Sequence, residues 1–120
     1  MNPIGIYGEE LAHKYLVSRS YKILFRNYAK PRWGEIDVIA LDGDEIVFVE
    51  VKTRTQRGFG GPLASITPHK LNSLNQSINY FLTHEGNIYI DYPKRIDVIA
   101  IIIDKNTKKI DSLEQFTVGI

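Results

Sequence analysis

Residues 34 to 54, Gly-Glu-Ile-Asp-Val-Ile-Ala-Leu-Asp-Gly-Asp-Glu-Ile-Val-Phe-Val-Glu-Val-Lys-Thr-Arg, leave this chain few choices of fold. Two runs rich in β-branched residues flank Asp42-Gly43-Asp44, the pattern of a β-hairpin closed by a short loop. Alternation puts Ile39, Leu41, Ile46 and Phe48 on one face. Ile36, Val38, Val47, Val49 and Val51 fall on the other. Strands that are apolar on both faces must be covered on both, so the hairpin is expected to supply central strands of an α/β layer.

The charges of this stretch gather at the end away from the turn. A loop of Asp42-Gly43 sets Asp37 opposite Phe48 and Glu35 opposite Glu50. A loop of Gly43-Asp44 sets Asp37 opposite Glu50. In both registers Asp37, Glu50 and Lys52 share a face. Like charges placed there repel, and burial raises the cost. A divalent cation between the carboxylates compensates it, and hard oxygen donors suit Mg²⁺ or Mn²⁺. Lys52, two residues beyond Glu50, is expected in the same site. There it offsets the carboxylates and serves to stabilise an anionic transition state or to position a water. The competing reading is a surface salt-bridge ladder, against which stand the valines flanking Glu50 and Lys52.

The rest of the chain reads as follows. Residues 5 to 19 form a helix with Tyr7, Leu11, Ala12, Tyr15 and Leu16 on its inner side; Glu9 borders that side and Glu10 points away. Residues 21 to 28 form a strand. Thr67-Pro68 starts a second helix, Thr as cap and Pro in the first turn, which runs to about Thr83 with Leu71, Leu74, Ile78, Phe81 and Leu82 inward and Gly86-Asn87 as its end. Residues 94 to 103, the most apolar strand, pair in parallel with the hairpin through the helical crossover. Residues 110 to 118 suit an edge strand or a short helix. Residues 53 to 62, with three glycines, read as a mobile loop. Asp97 is expected to pair with Arg26 or Arg95, and the histidines to be exposed.

With 120 residues and 43% hydrophobic content, a single domain spanning residues 1–120 can fold without staples. The absence of cysteine excludes disulfides, thiol catalysis and Cys-ligated zinc, and sits with a reducing cytoplasm. No apolar run reaches membrane-spanning length, and the N-terminus lacks the regions of a signal peptide, so a membrane partner is not expected. The net charge is only +1, but its distribution is uneven. Between Glu10 and Glu35 stand Lys14, Arg19, Lys22, Arg26, Lys30 and Arg32 with no acid. Between Glu50 and Glu85 stand Lys52, Arg54, Arg57 and Lys70. Basic segments bracketing an acidic cluster fit phosphate contacts around a metal site, and solvated faces give such runs as well.

One family carries these features in this order. Gly8-Glu9 with Ala12 and Tyr15-Leu16, Arg26-Asn27, Gly34-Glu35-Ile36-Asp37, Phe48 to Arg54, Phe59-Gly60, Lys70 and Arg95-Ile96-Asp97-Val98 span nearly the whole chain. Their order resembles the PD-(D/E)xK nuclease superfamily, and more closely the YraN-like family of small bacterial predicted endonucleases. Ile36 stands where the superfamily name has proline. The resemblance implies a restriction-endonuclease-like α/β core, a mixed central sheet flanked by helices in the order α-β-β-β-α-β. It implies Asp37 and Glu50 as metal ligands, Lys52 as the catalytic lysine, and Glu9 as the helix carboxylate that junction resolvases place near the metal. The activity it implies is metal-dependent endonucleolytic cleavage of DNA, branched or otherwise structured, by a homodimer. Arg26, Arg32, Arg54, Arg57 and Lys70 are the candidate backbone contacts, and Trp33 and Phe59 could stack on bases or pack a subunit contact. The rival is a nucleic-acid-binding module that keeps the fold without cutting.

Overall fold

A computed structural model describes residues 3–30, 34–56, 64 and 66–119. Arg32, Trp33, Arg57, Phe59 and most of the glycine-rich stretch lie outside the described residues. The chain runs α1 (Pro3–Ser18), β1 (Lys22–Tyr28), β2 (Ile36–Asp42), β3 (Glu45–Arg54), α2 (Pro68–Thr83), a 3₁₀ turn (Asn87–Tyr89), β4 (Lys94–Ile103) and β5 (Ile110–Gly119). The five strands form one sheet in sequence order. All neighbours are antiparallel except β3 and β4, whose parallel pairing is bridged by α2.

The hairpin takes the register in which Asp42 pairs with Glu45, so the two-residue loop is Gly43-Asp44. Gly43 supplies the left-handed position of that turn, at φ +62°. Ala12, Leu16, Val38, Ala40, Val47, Val49, Ile99 and Ile101 form the core beneath α1. Ile39, Ile46, Phe48, Ile96, Leu74, Ile78, Phe81 and Leu82 form the one beneath α2. Both faces of the hairpin are covered, as alternation requires. Ile36 departs from its expected face and packs with the α2 core.

Helix α1 buries Gly8, Ala12 and Leu16, one row at intervals of four residues. Tyr7, expected on the inner side, stays exposed, and its hydroxyl donates to the Lys108 carbonyl, 3.1 Å away. Gly8 lets the helix approach β3 closely, because a Cβ there would overlap the Thr53 side chain. Helix α2 starts as its cap predicts: Thr67 Oγ1 accepts from the Lys70 N–H at 3.1 Å. At its end the Gly86 N–H donates to the Phe81 carbonyl at 2.8 Å. Residues 110–119 form a strand rather than a helix, so β5 adds a second strand after α2 to the expected order.

Asp97 is 1% exposed yet fully partnered. Arg95 Nε, Gln115 Nε2 and Thr117 Oγ1 donate to its two oxygens at 2.7–3.2 Å. Arg95 also reaches Glu45 (2.6 Å), Asp42 (3.1 Å) and the Tyr21 hydroxyl (2.6 Å). Of the two arginines expected beside Asp97, Arg95 is the partner. Arg26 instead pairs with Glu10 at 3.0 Å.

Candidate active site

Extending the hairpin register one step past Val38 and Val49 sets Asp37 on β2 directly opposite Glu50 on β3. Extending the β1–β2 register the same way sets Asn27 opposite Asp37 on the other side. One row across the sheet therefore carries Asn27, Asp37 and Glu50. Asp37 and Glu50 are 7% and 5% exposed, so they form no surface ladder. Asp37 Oδ2 accepts from the Val51 N–H at 2.7 Å, which ties the side chain to β3 where the strand pairing ends.

The electrostatics of this pair are unfavourable as they stand. Burial, then a hydrogen bond shared with Glu50, then the Glu50 charge push the Asp37 carboxyl up to about 8, against the opposing pull of the Val51 N–H. The proton belongs to the pair more than to either residue. Glu50 Oε2 is buried without a hydrogen-bond donor among the described residues. The Lys70 ammonium lies 2.9 Å from that oxygen, at ion-pair distance but outside hydrogen-bonding geometry.

Lys52 follows Glu50 by two residues and projects from the same face, half-buried. Among the described residues it has no ion-pair partner. The cation that balances Glu50 is therefore Lys70, from the first turn of α2, and not Lys52 as the sequence suggests. Lys70, expected among the backbone-contacting residues, stands in the site itself.

Glu9 reaches the same region from α1. Burial, then Glu35, raise its carboxyl above the ordinary range; Arg26 opposes and Glu50 adds to the rise. Asn27 holds this flank together. With its amide oriented to donate, the nitrogen lies 2.9 Å from Glu9 Oε1 and 2.7 Å from Glu35 Oε1. Asn27 adopts φ +55° inside a strand, a conformation asparagine tolerates better than most residues. The sequence marks it only as half of the Arg26-Asn27 motif, with no role of its own. An asparagine amid strand-forming residues is a second signal.

The remaining candidates divide. Arg54 is exposed at the end of β3, its guanidinium donating to the Thr53 carbonyl at 2.9 Å. Arg26 is engaged with Glu10. His69 and His84 are exposed, whereas His13 is half-buried and its Nδ1 has no partner among the described residues.

Among the described residues, no group of three histidine, aspartate or glutamate side chains is gathered tightly enough to hold an ion by itself. Asp37 and Glu50 nevertheless fit a hard divalent cation. They are two buried oxygen donors that repel one another, one with an oxygen lacking a donor. Mg²⁺ is ordinarily held by one or two carboxylates, with waters and substrate phosphate completing its shell.

The model of the "Uncharacterised protein family UPF0102" matches residues 8–101, which include Glu9, Asp37, Glu50, Lys52 and Lys70. A UPF0102 protein of Syntrophomonas wolfei is 37% identical over 110 residues, 92% of this chain and 93% of the relative. One of Thermodesulfovibrio yellowstonii is 42% identical over 111 residues, 92% of each chain. One of Geobacter sulfurreducens is 43% identical over 100 residues, 83% of this chain and 76% of the relative. With a family model over most of its length and relatives matched nearly end to end, the chain belongs to the UPF0102 family.

Proposed function

We propose that the protein is a metal-dependent phosphodiesterase acting on DNA, an endonuclease suited to branched or structured substrates. The observation that carries this reading is the buried Asp37–Glu50 pair, whose mutual repulsion and unfilled Glu50 oxygen call for a cation. Asp37 and Glu50 would hold Mg²⁺ or Mn²⁺. The ion, when bound, supplies Lewis acidity that polarises a phosphoryl oxygen and makes a water more acidic. Lys52, free of ion pairs among the described residues, is available to offset negative charge developing on the phosphoryl oxygens. Glu9 stands within the field of both ligands, and its raised affinity for a proton suits it to proton exchange at the edge of the pair. Arg54, with Arg32 and Arg57, would position the phosphate backbone, and Arg26 would do so after leaving Glu10. Cutting both strands of a branched substrate requires two such sites, so a homodimer is the working assembly.

The test is incubation of single-stranded, duplex, flap and four-way DNA with Mg²⁺, Mn²⁺ or Ca²⁺, with matched RNA alongside. Cleavage of DNA in Mg²⁺ or Mn²⁺, lost in Glu50→Gln, is the expected result. Binding without cleavage in every metal would transfer the protein to the non-catalytic binding class.

A further inference from the structure

Lys70 is out of place by local rules. It is the third residue of α2, in a first turn that contains no acid. The N-terminal end of a helix carries partial positive charge, so a lysine there is disfavoured. The Thr67 cap holds its backbone firmly in that position, through the 3.1 Å bond to the Lys70 N–H. The compensation for the misplaced charge is Glu50, whose Oε2 lies 2.9 Å from the ammonium.

The two partners differ in what they can do without each other. The Lys70 side chain is 32% exposed and can turn its ammonium into water on a flexible stem, whereas the Glu50 side chain is 7% exposed and cannot follow. Leaving a buried carboxylate without any cation is costly. Yet the ion pair lacks hydrogen-bonding geometry, so Glu50 Oε2 keeps its capacity to accept. A charge is parked beside the oxygen without satisfying it.

We propose that Lys70 is the internal cation of the metal-free site: its ammonium occupies the place beside Glu50 that a divalent cation must take, and metal entry expels it. The inference rests on reading Asp37 and Glu50 as the metal-holding pair. Metal affinity is then the outcome of a competition, set by a residue that does not bind metal. The pair stays neutralised when no ion is present. The ammonium released by metal entry becomes free for an incoming phosphate, which makes Lys70 a metal-gated contact rather than a standing one.

The test is calorimetric titration of Mn²⁺ alone into wild type, Lys70→Gln and Lys70→Arg, without DNA. Removing the competitor should tighten Mn²⁺ binding by roughly 5- to 10-fold, the scale of a partly exposed charge pair. Lys70→Arg keeps the charge and should bind as wild type does. In chelator, Lys70→Gln should melt below wild type, and excess Mn²⁺ should raise its melting temperature more. Because that variant could fold poorly, the unmutated protein offers a second readout. After reductive ¹³C-methylation of lysines, the Lys70 signal, assigned by its loss in Lys70→Arg, should move on Mg²⁺ addition toward the position of exposed lysines. If wild type binds metal and Lys70→Gln binds equally or more weakly, or the Lys70 signal stays in place, the competition is refuted while the metal site stands. If wild type and variants all fail to bind metal, both ideas fall together.

Discussion

At the scale of single residues the site separates three roles. Glu50→Gln removes a proposed ligand from a crowded pair, so cleavage should vanish and Mn²⁺ affinity fall, while the metal-free fold melts no lower than wild type once Asp37 is relieved of its neighbour's charge. Lys52→Ala should keep metal binding and still lose cleavage by about 10²-fold or more, the scale of one transition-state charge contact. Calorimetry and gel cleavage together distinguish these patterns; a Lys52→Ala variant that cuts normally would remove Lys52 from the mechanism. Protonation makes a further prediction. The Asp37–Glu50 pair holds a proton up to about 8 in the fold, whereas Asp37 in the unfolded chain holds one only to about 3.8. Between those values the folded state carries the extra proton, so stability falls as pH rises. The contribution is complete below the lower value and gone above the upper one. Thermal melts in chelator from pH 5 to 9 should show the decline, and Asp37→Asn should flatten it. A melting temperature that rises across this window would contradict the buried-pair electrostatics.

At the scale of elements, the contact between α1 and β3 sets where Glu9 and Lys52 stand. Gly8→Ala would drive a methyl group into Thr53, and overpacking of this kind costs about 1–3 kcal/mol. Urea unfolding should show that loss although alanine favours helix; a stabilised variant would mean the helix is free to shift outward. The basic segments make a second prediction. If they contact backbone phosphates, DNA affinity should fall with salt at a log–log slope of about −0.9 per contact on duplex. Arg54→Ala should flatten that slope by up to about one unit. Arg26→Ala should change it less, since Arg26 must first leave Glu10. Filter binding across a salt series reads both, and a slope unchanged by Arg54→Ala would take β3's end out of the interface.

At the scale of the whole molecule, the sheet was readable from residue patterns wherever alternation or capping decided the matter. The hairpin left two registers open, yet both kept Asp37, Glu50 and Lys52 on one face, so the site was legible before its register was. The parallel partnership of β4 followed from an apolar run after a helix. The final segment was undecided because Ile110–Gly119 mixes short polar and apolar residues without a strong period, and only its place beside β4 makes it a strand. Lys70 and Asn27 stand among the motif residues, but the contacts they make in the site are not readable from sequence for another reason. Their contacts depend on how α2 and α1 lie over the sheet, which no local pattern encodes. Among the described residues no helix is long and apolar enough to cross a membrane. For the assembly, light scattering or sedimentation should give a dimer mass on four-way DNA; a monomer that cuts both strands at full rate would dismiss the two-site requirement.

The Arg95 cluster has a consequence for how loss of function would be distributed along this chain. It ties Asp42 and Glu45, the pair that closes the hairpin turn, to β4 and, through Asp97, to β5. That turn is about 17 Å from Asp37 along the strand, at roughly 3.3 Å per residue. A slip of one residue there reverses every side chain of β2 and turns Asp37 out of the row. A hairpin miswound in this way would keep strand content while losing the Asn27–Asp37–Glu50 row. A mutational screen scored on the proposed activity alone would then rank Arg95, Asp42 and Glu45 beside Asp37 and Glu50. Far-ultraviolet dichroism would pass them as native, and only a probe of strand pairing would tell a misthreaded sheet from a disarmed one.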